Sequence, residues 1–154
     1  MKHWLKNAFV LAVSLGLTSS ALADEVTSAG QPDEAAVEQY AADGYKTVID
    51  LRTGGEDRGM DEPAVVEAAG MKYVSLPIGR SDITFEKAAE LDALLDDAEG
   101  PVVVHCGSGN RVGALMALRA SLDGKSDEEA IEIGKEYGLT SLAERVEGVL
   151  AEDE

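Results

Sequence analysis

The sequence predicts a single α/β domain: a mostly parallel central sheet flanked by helices, with a helical portion at its C-terminal end. Three observations carry that prediction. Short β-rich runs at 47–51, 73–78 and 101–104 alternate with segments of helical period. The third run is continuously apolar, as a strand covered on both faces must be. Its length of 154 residues, 45% of them hydrophobic, lets the chain bury one ordinary core and not two.

The elements follow in order. Residues 1–23 differ in kind from the rest: Lys2 and Lys6 flank Trp4, an apolar run extends from Ala8 to Leu17, and Ala21-Leu22-Ala23 closes the segment. That order is expected of a secretory signal peptide cleaved after Ala23, leaving residues 24–154 as the domain, exported and most simply periplasmic. The apolar run is about half of the roughly 20 residues that a membrane-spanning helix needs, so no stable membrane association is expected after cleavage.

Pro32, Asp33 and Glu34 then open a helix that carries Val37, Tyr40 and Ala41 inward and ends at Gly44. Thr47 to Leu51 reads as a strand, Arg52 to Met60 as a polar loop and Asp61 to Ala69 as a small helix. Tyr73 to Ile78 reads as a second strand. After the loop Gly79 to Ile83, a helix from Thr84 to Ala98 sets Ala88, Leu91, Leu95 and Ala98 on one face. Pro101 to Val104 runs as a buried strand into His105-Cys106, and a helix from Arg111 to Leu122 follows. Two last helices begin at Ser126 and Ser141, each with a capping box to the glutamate three residues on, Glu129 and Glu144.

Composition narrows the partners. Cleavage would leave 11 basic against 30 acidic residues, a net charge of −19, which repels nucleic acid and anionic lipid alike. The acids lie scattered along the helices rather than in one block, as in a charged, soluble surface. An anionic substrate must therefore meet a locally positive site. The single cysteine, Cys106, excludes an intramolecular disulfide and marks an odd thiol in an exported chain.

The chemistry gathers at His105-Cys106-Gly107-Ser108-Gly109-Asn110-Arg111, between a buried strand and a helix. Loop amides and a helix N-terminus point together there and bind anions. Gly107 and Gly109 let the backbone curl around a tetrahedral ligand, Arg111 offers two parallel donors to its oxygens, and the same surroundings favour a thiolate at Cys106. Ser108 and Asn110 complete the loop.

Other readings of the loop fare worse. Glycines at 107, 109 and 113 resemble a loosened dinucleotide fingerprint, but no strand follows to carry a ribose-binding acid. A cysteine–histidine dyad fails because the remaining histidine, His105, neighbours Cys106 in the strand and points to the opposite side, so it is expected to orient the loop from behind. One cysteine and one histidine make no structural zinc site, no calcium loop is present, and neither metal nor cofactor is expected.

A strand, His-Cys, a glycine loop and an arginine opening a helix resemble the cysteine phosphatases of the dual-specificity class. More closely, Thr27 to Pro32, Val48 to Arg52, Tyr73 to Ile78 and the Cys106 loop resemble the small phosphatase-like domain of the β-lactamase-hydrolase-like proteins, over nearly all of residues 24–154. Ordinary members of the phosphatase class enclose five residues between cysteine and arginine. Cys106 and Arg111 enclose four, as in rhodanese-type sulfurtransferases and in this phosphatase-like family. Val112 replaces the usual Ser or Thr after the arginine, and Gly107 a frequent arginine.

The resemblance implies a hydrolase of small anionic or phosphorylated substrates. Cys106 attacks phosphorus, loop amides and Arg111 hold the oxygens, an acid protonates the leaving oxygen, and water releases phosphate. Asp82, in the loop after the second strand, is the expected acid, unless it serves only to start a helix; Asp57 and Asp61 are the weaker choices. Two alternatives remain open: a sulfurtransferase that stores a persulfide on Cys106 and needs no acid, and a noncatalytic anion-binding module. Nothing in the pattern specifies an oligomer.

Overall fold

The computed structural model describes residues 25–152; the expected signal segment, residues 1–23, lies outside them. Four short strands form one parallel sheet: β1 (Val26–Ala29), β2 (Thr47–Asp50), β3 (Lys72–Ser75) and β4 (Val102–His105), in the spatial order β1-β4-β2-β3. The two central strands are buried at every residue, as a parallel sheet covered on both faces requires.

Strand alternation divides the core. Ile49, Val102 and Val104 face the larger cluster, shared with Leu91 of helix α3 (Phe85–Asp96), Leu115 of α4 (Asn110–Leu122) and Val146 of α6 (Ala143–Ala151); α5 (Asp127–Glu136) packs on α4 and α6. Val48 faces the opposite, smaller cluster, with Val37 of α1 (Glu34–Ala42), Val66 of α2 (Glu62–Ala68) and Tyr73 of β3 against it.

The α/β class and the alternating elements are those expected. Asp33 caps α1, Asp61 caps α2 and Thr84 caps α3, each accepting from the amide three residues on, which satisfies a donor with no intrahelical partner.

Four details differ. β1 is a polar, half-buried strand with no apolar run to announce it, and it exists because β4 offers a free edge to pair with. β3 runs from Lys72 to Ser75, short of the expected Ile78, although the Leu76 and Ile78 amides still donate to Asp50 O and Leu51 O at 2.9 Å and both side chains are buried. α4 begins at Asn110, one residue early.

The fourth is a correction. Ser126 and Glu129 form the expected capping box, but Ser141 and Glu144 do not: Leu142 precedes α6 without a side-chain cap. The Ser141 hydroxyl instead accepts from Asn110 Nδ2 at 2.8 Å, so it braces the Cys106 loop rather than a helix end.

Candidate active site

All four strands are parallel, so their C-terminal ends share one edge of the sheet, where such folds place their chemistry. His105 ends β4 and the segment 106–109 turns into α4. Gly109 stands before the helix at φ +84°, a left-handed conformation that favours glycine. Gly107 has no such torsion, and a Cβ there would lie 3.6 Å from Arg111 Nη2, an ordinary contact. The special torsion expected of the two glycines is thus present at 109 and not at 107.

Alternation continues past the strand. Cys106 falls on the side of the larger cluster and is 1% exposed. Its Sγ accepts from the Gly109 amide at 3.1 Å. β1 holds the loop from behind: the Cys106 amide donates to Ala29 O at 3.4 Å, and the Gln31 amide to Gly107 O at 3.2 Å. A Cβ on Gly30 would meet Gly107 O at 3.3 Å, so that glycine permits the close approach.

His105 points to the opposite side. Its Nε2 lies 2.6 Å from Glu62 Oε1, and its Nδ1 lies 3.4 Å from Cys106 O. With Glu62 as the acceptor, this pair sets the His105 proton on Nε2. Glu62 also accepts from Arg52, which makes a bidentate pair with Asp50 at 3.0 Å for each bond. Asp50, Arg52, Glu62 and His105 are all fully buried.

Asp50 further accepts from Tyr73 at 2.7 Å and from Arg58 at 3.2 Å. Burial pushes its carboxyl up, but the bonds from Arg52 and Tyr73 outweigh burial and hold it well below the usual carboxylate range. Ligand-type atoms of Asp50, Glu62 and His105 come within 4.8 Å of one another. Arg52 stands among them and donates to both carboxylates, supplying the positive charge that a metal would bring.

Arg111 faces a cleft of about 350 Å³ whose lining includes Ser108, Asn110, Thr53 and Leu142. Its guanidinium lies against the loop, with Nη2 3.6 Å from where a Cβ on Gly107 would stand. Its Nη1 and Nη2 bind the two oxygens of Glu56 at 2.8 and 2.6 Å, and Nη1 also donates to Ile78 O at 3.0 Å. The Arg111 bonds hold the Glu56 carboxyl down at about 2, and Glu56 and the Cys106 sulfur in turn raise the guanidinium. Glu56 is itself fixed by the Thr53 amide at 2.7 Å.

Asp82 sits on the 3₁₀ turn Arg80–Asp82. Its Oδ2 accepts from the Gly79 amide at 2.8 Å, the geometry of a turn cap, and the cleft wall at this point consists of Gly79 and Arg80. Asp57 accepts from the Gly59 amide and Asp61 caps α2. Asn110 clamps the opposite wall: its Oδ1 accepts from Thr140 at 2.8 Å and from Leu142 at 3.4 Å, while its Nδ2 donates to Ser141.

Sequence reasoning passed over Glu56, Arg80, Glu62 and Leu142. Glu56 left one trace, the Thr53-x-x-Glu56 spacing of a side chain that folds back on a backbone amide. A larger hollow, about 810 Å³, opens at the other end of the sheet among residues such as Lys46, Lys72 and Pro101. It contains no part of the Cys106 loop.

Residues 19–123 match the family model of the phosphatase-like domain of beta-lactamase hydrolase-like proteins. The chain is 35% identical to the beta-lactamase hydrolase-like protein of Agrobacterium fabrum, over 78% of its own length and 29% of that protein's. It is 32% identical to the Xylella fastidiosa protein of the same name, over 75% and 28%. The chain thus spans under a third of the length of these curated relatives.

Among solved structures, it resembles a candidate phosphatase from Neisseria meningitidis at TM-score 0.71 and 26% identity, covering 83% of this chain and 95% of that one. It also resembles Pseudomonas aeruginosa TpbA, solved in complex with phosphotyrosine, at TM-score 0.57 and 20% identity over 84% and 85%, a likeness of fold.

Proposed function

The chain belongs to the phosphatase-like domain family of the beta-lactamase hydrolase-like proteins, and from that premise we propose that it hydrolyses phosphate esters through a cysteinyl-phosphate intermediate on Cys106. The observation that carries this reading is the loop itself: a buried sulfur receiving a backbone N–H, with an arginine in the first turn of the helix that follows lining the adjoining cleft. In this mechanism the Cys106 thiolate attacks phosphorus and forms the S–P bond as the P–O ester bond breaks, the ester oxygen departing as an oxyanion that takes its proton from water. Water then attacks the cysteinyl phosphate and releases inorganic phosphate and the thiolate. The loop amides and the N-terminus of α4 stabilise the equatorial oxygens.

Arg111 can serve the same oxygens by exchanging one carboxylate contact for the phosphoryl group, with Glu56 keeping the guanidinium plane turned to the cleft. His105 holds the loop from behind through Glu62. Asp82 caps its own turn through Oδ2, and the cleft lining at that point is Gly79 and Arg80 rather than its carboxyl. Esters with good leaving groups, which need little proton donation, should therefore react best.

A second reading, sulfur transfer through a Cys106 persulfide, is favoured by the four residues enclosed between Cys106 and Arg111 and by an acid already occupied in a turn. One comparison separates the two. Reduced wild-type protein and Cys106→Ser are assayed for aryl phosphate hydrolysis and for thiosulfate-to-cyanide sulfur transfer. Phosphate release by the wild type alone supports the hydrolase. Thiocyanate without phosphate replaces it with the sulfurtransferase, and neither product leaves an anion-binding module. Export, proposed from residues 1–23, is tested by locating the chain in cell fractions and sequencing its N-terminus.

A further inference from the structure

Arg80 differs from the other arginines of the described residues: it is exposed and unpaired. The chain has six arginines. Arg52, Arg58, Arg111 and Arg119 each hold a carboxylate, and Arg145 donates to Ile83 O. Arg80 makes no hydrogen bond or ion pair among the described residues, in a chain with 30 acidic side chains to offer it. It lines the same cleft as Arg111.

Its backbone is fixed although its side chain is free. Arg111 Nη1 donates to Ile78 O, two residues before Arg80, at 3.0 Å. The turn is closed by the Asp82 amide on Gly79 O at 3.1 Å and by the Gly79 amide on Asp82 Oδ2 at 2.8 Å. The two guanidinium groups are thus tied to one short segment, and Asp82 is the group that shapes it. The rest of the lining has no aromatic ring, and Leu142 is its one apolar side chain. A phosphotyrosine ring would find little surface to stack on.

We propose, resting on the phosphatase reading of this site, that Arg80 binds a second anionic group of the substrate, so that the substrate class is a small, polar phosphate ester carrying a further carboxylate or phosphate close to the scissile phosphoryl group. Arg111 and the loop amides take the phosphoryl group, and Arg80 takes the second charge. The strongly acidic remainder of the chain raises the value of this second cation, since a doubly anionic ligand meets repulsion everywhere else.

The test uses the full-length reduced protein, wild type and the variants Arg80→Ala and Arg80→Glu, with inorganic phosphate and pyrophosphate as probes in titration calorimetry. Wild type should bind pyrophosphate more tightly than phosphate. That preference should shrink about fivefold in Arg80→Ala, the value of a partly exposed ion pair, and further in Arg80→Glu. An unchanged preference in both variants overturns the proposal, as does tighter binding of phosphotyrosine than of pyrophosphate by the wild type. Hydrolysis is then compared for an aryl phosphate and for the same ester bearing a ring carboxylate. If wild type hydrolyses neither ester but the binding preference still depends on Arg80, the hydrolase reading fails and the second anion site stands.

Discussion

Arg111 is held by two oxygens of Glu56 while it faces the cleft, and that pairing has a measurable acid signature. The Glu56 carboxyl is lowered from 4.5 to about 2 by Arg111, so its contribution to stability is complete above pH 4.5 and is lost as pH falls toward 2. The unfolding free energies of wild type and Glu56→Gln, compared by urea titration at pH 6 and again near pH 3.5, should lie closer together at the lower pH; a gap of constant size would mean that the pair contributes nothing in solution. Asp82→Asn keeps an acceptor for the Gly79 amide and should change kcat/KM for an aryl phosphate by no more than about twofold, whereas removing a true general acid costs on the order of a hundredfold or more. A loss of kcat that grows with the pKa of the leaving group would make Asp82 the acid. At this scale Cys106, Arg111 and His105 were readable from the sequence because strand, glycine loop and helix start are adjacent in the chain. Glu56 and Glu62 were not, because 55 and 43 residues separate them from the arginine and histidine that they hold, and local patterning carries no information on such pairs.

Among the elements, the helices and central strands announced themselves by period and caps, while β1 and the brace at Ser141 did not. A four-residue strand of mixed polarity acquires its identity from the neighbour it pairs with, and a serine followed three residues later by a glutamate reads as a capping box whether or not another side chain claims the hydroxyl. The packing of α5 on α4 was equally silent. A Cβ on Gly113 would lie 2.1 Å from the Leu139 amide nitrogen and 2.5 Å from Gly134 O, backbone atoms with no room to retreat. Gly113→Ala should therefore cost roughly 2 kcal/mol or more, seen as a lower urea midpoint; a stability equal to wild type would show that the two helices separate easily. Asn110→Ala removes the acceptor of the Thr140 and Leu142 amides and should lower stability by about 1–3 kcal/mol.

At the scale of the whole molecule, charge opposes the anionic substrate proposed for the cleft. With a formal charge of −17, the surface repels an anion before the cleft attracts it. Raising ionic strength from about 10 mM to 150 mM shortens the screening length from roughly 30 to 8 Å. kcat/KM for an aryl phosphate should rise severalfold over that range, and a fall would show that Arg80 and Arg111 dominate the approach. No helix among the described residues is long and apolar enough to cross a membrane. The loop that carries Cys106 is braced from both directions of the chain, by Ala29 and Gln31 on one side and by Thr140, Ser141 and Leu142 on the other. During synthesis the thiol segment is thus complete some thirty residues before its second support exists, and its first support waits unpaired until β4 arrives. The nascent chain carries the thiol some thirty residues before its second brace, so any reactivity that needs the braced loop should switch on as one of the last events of folding.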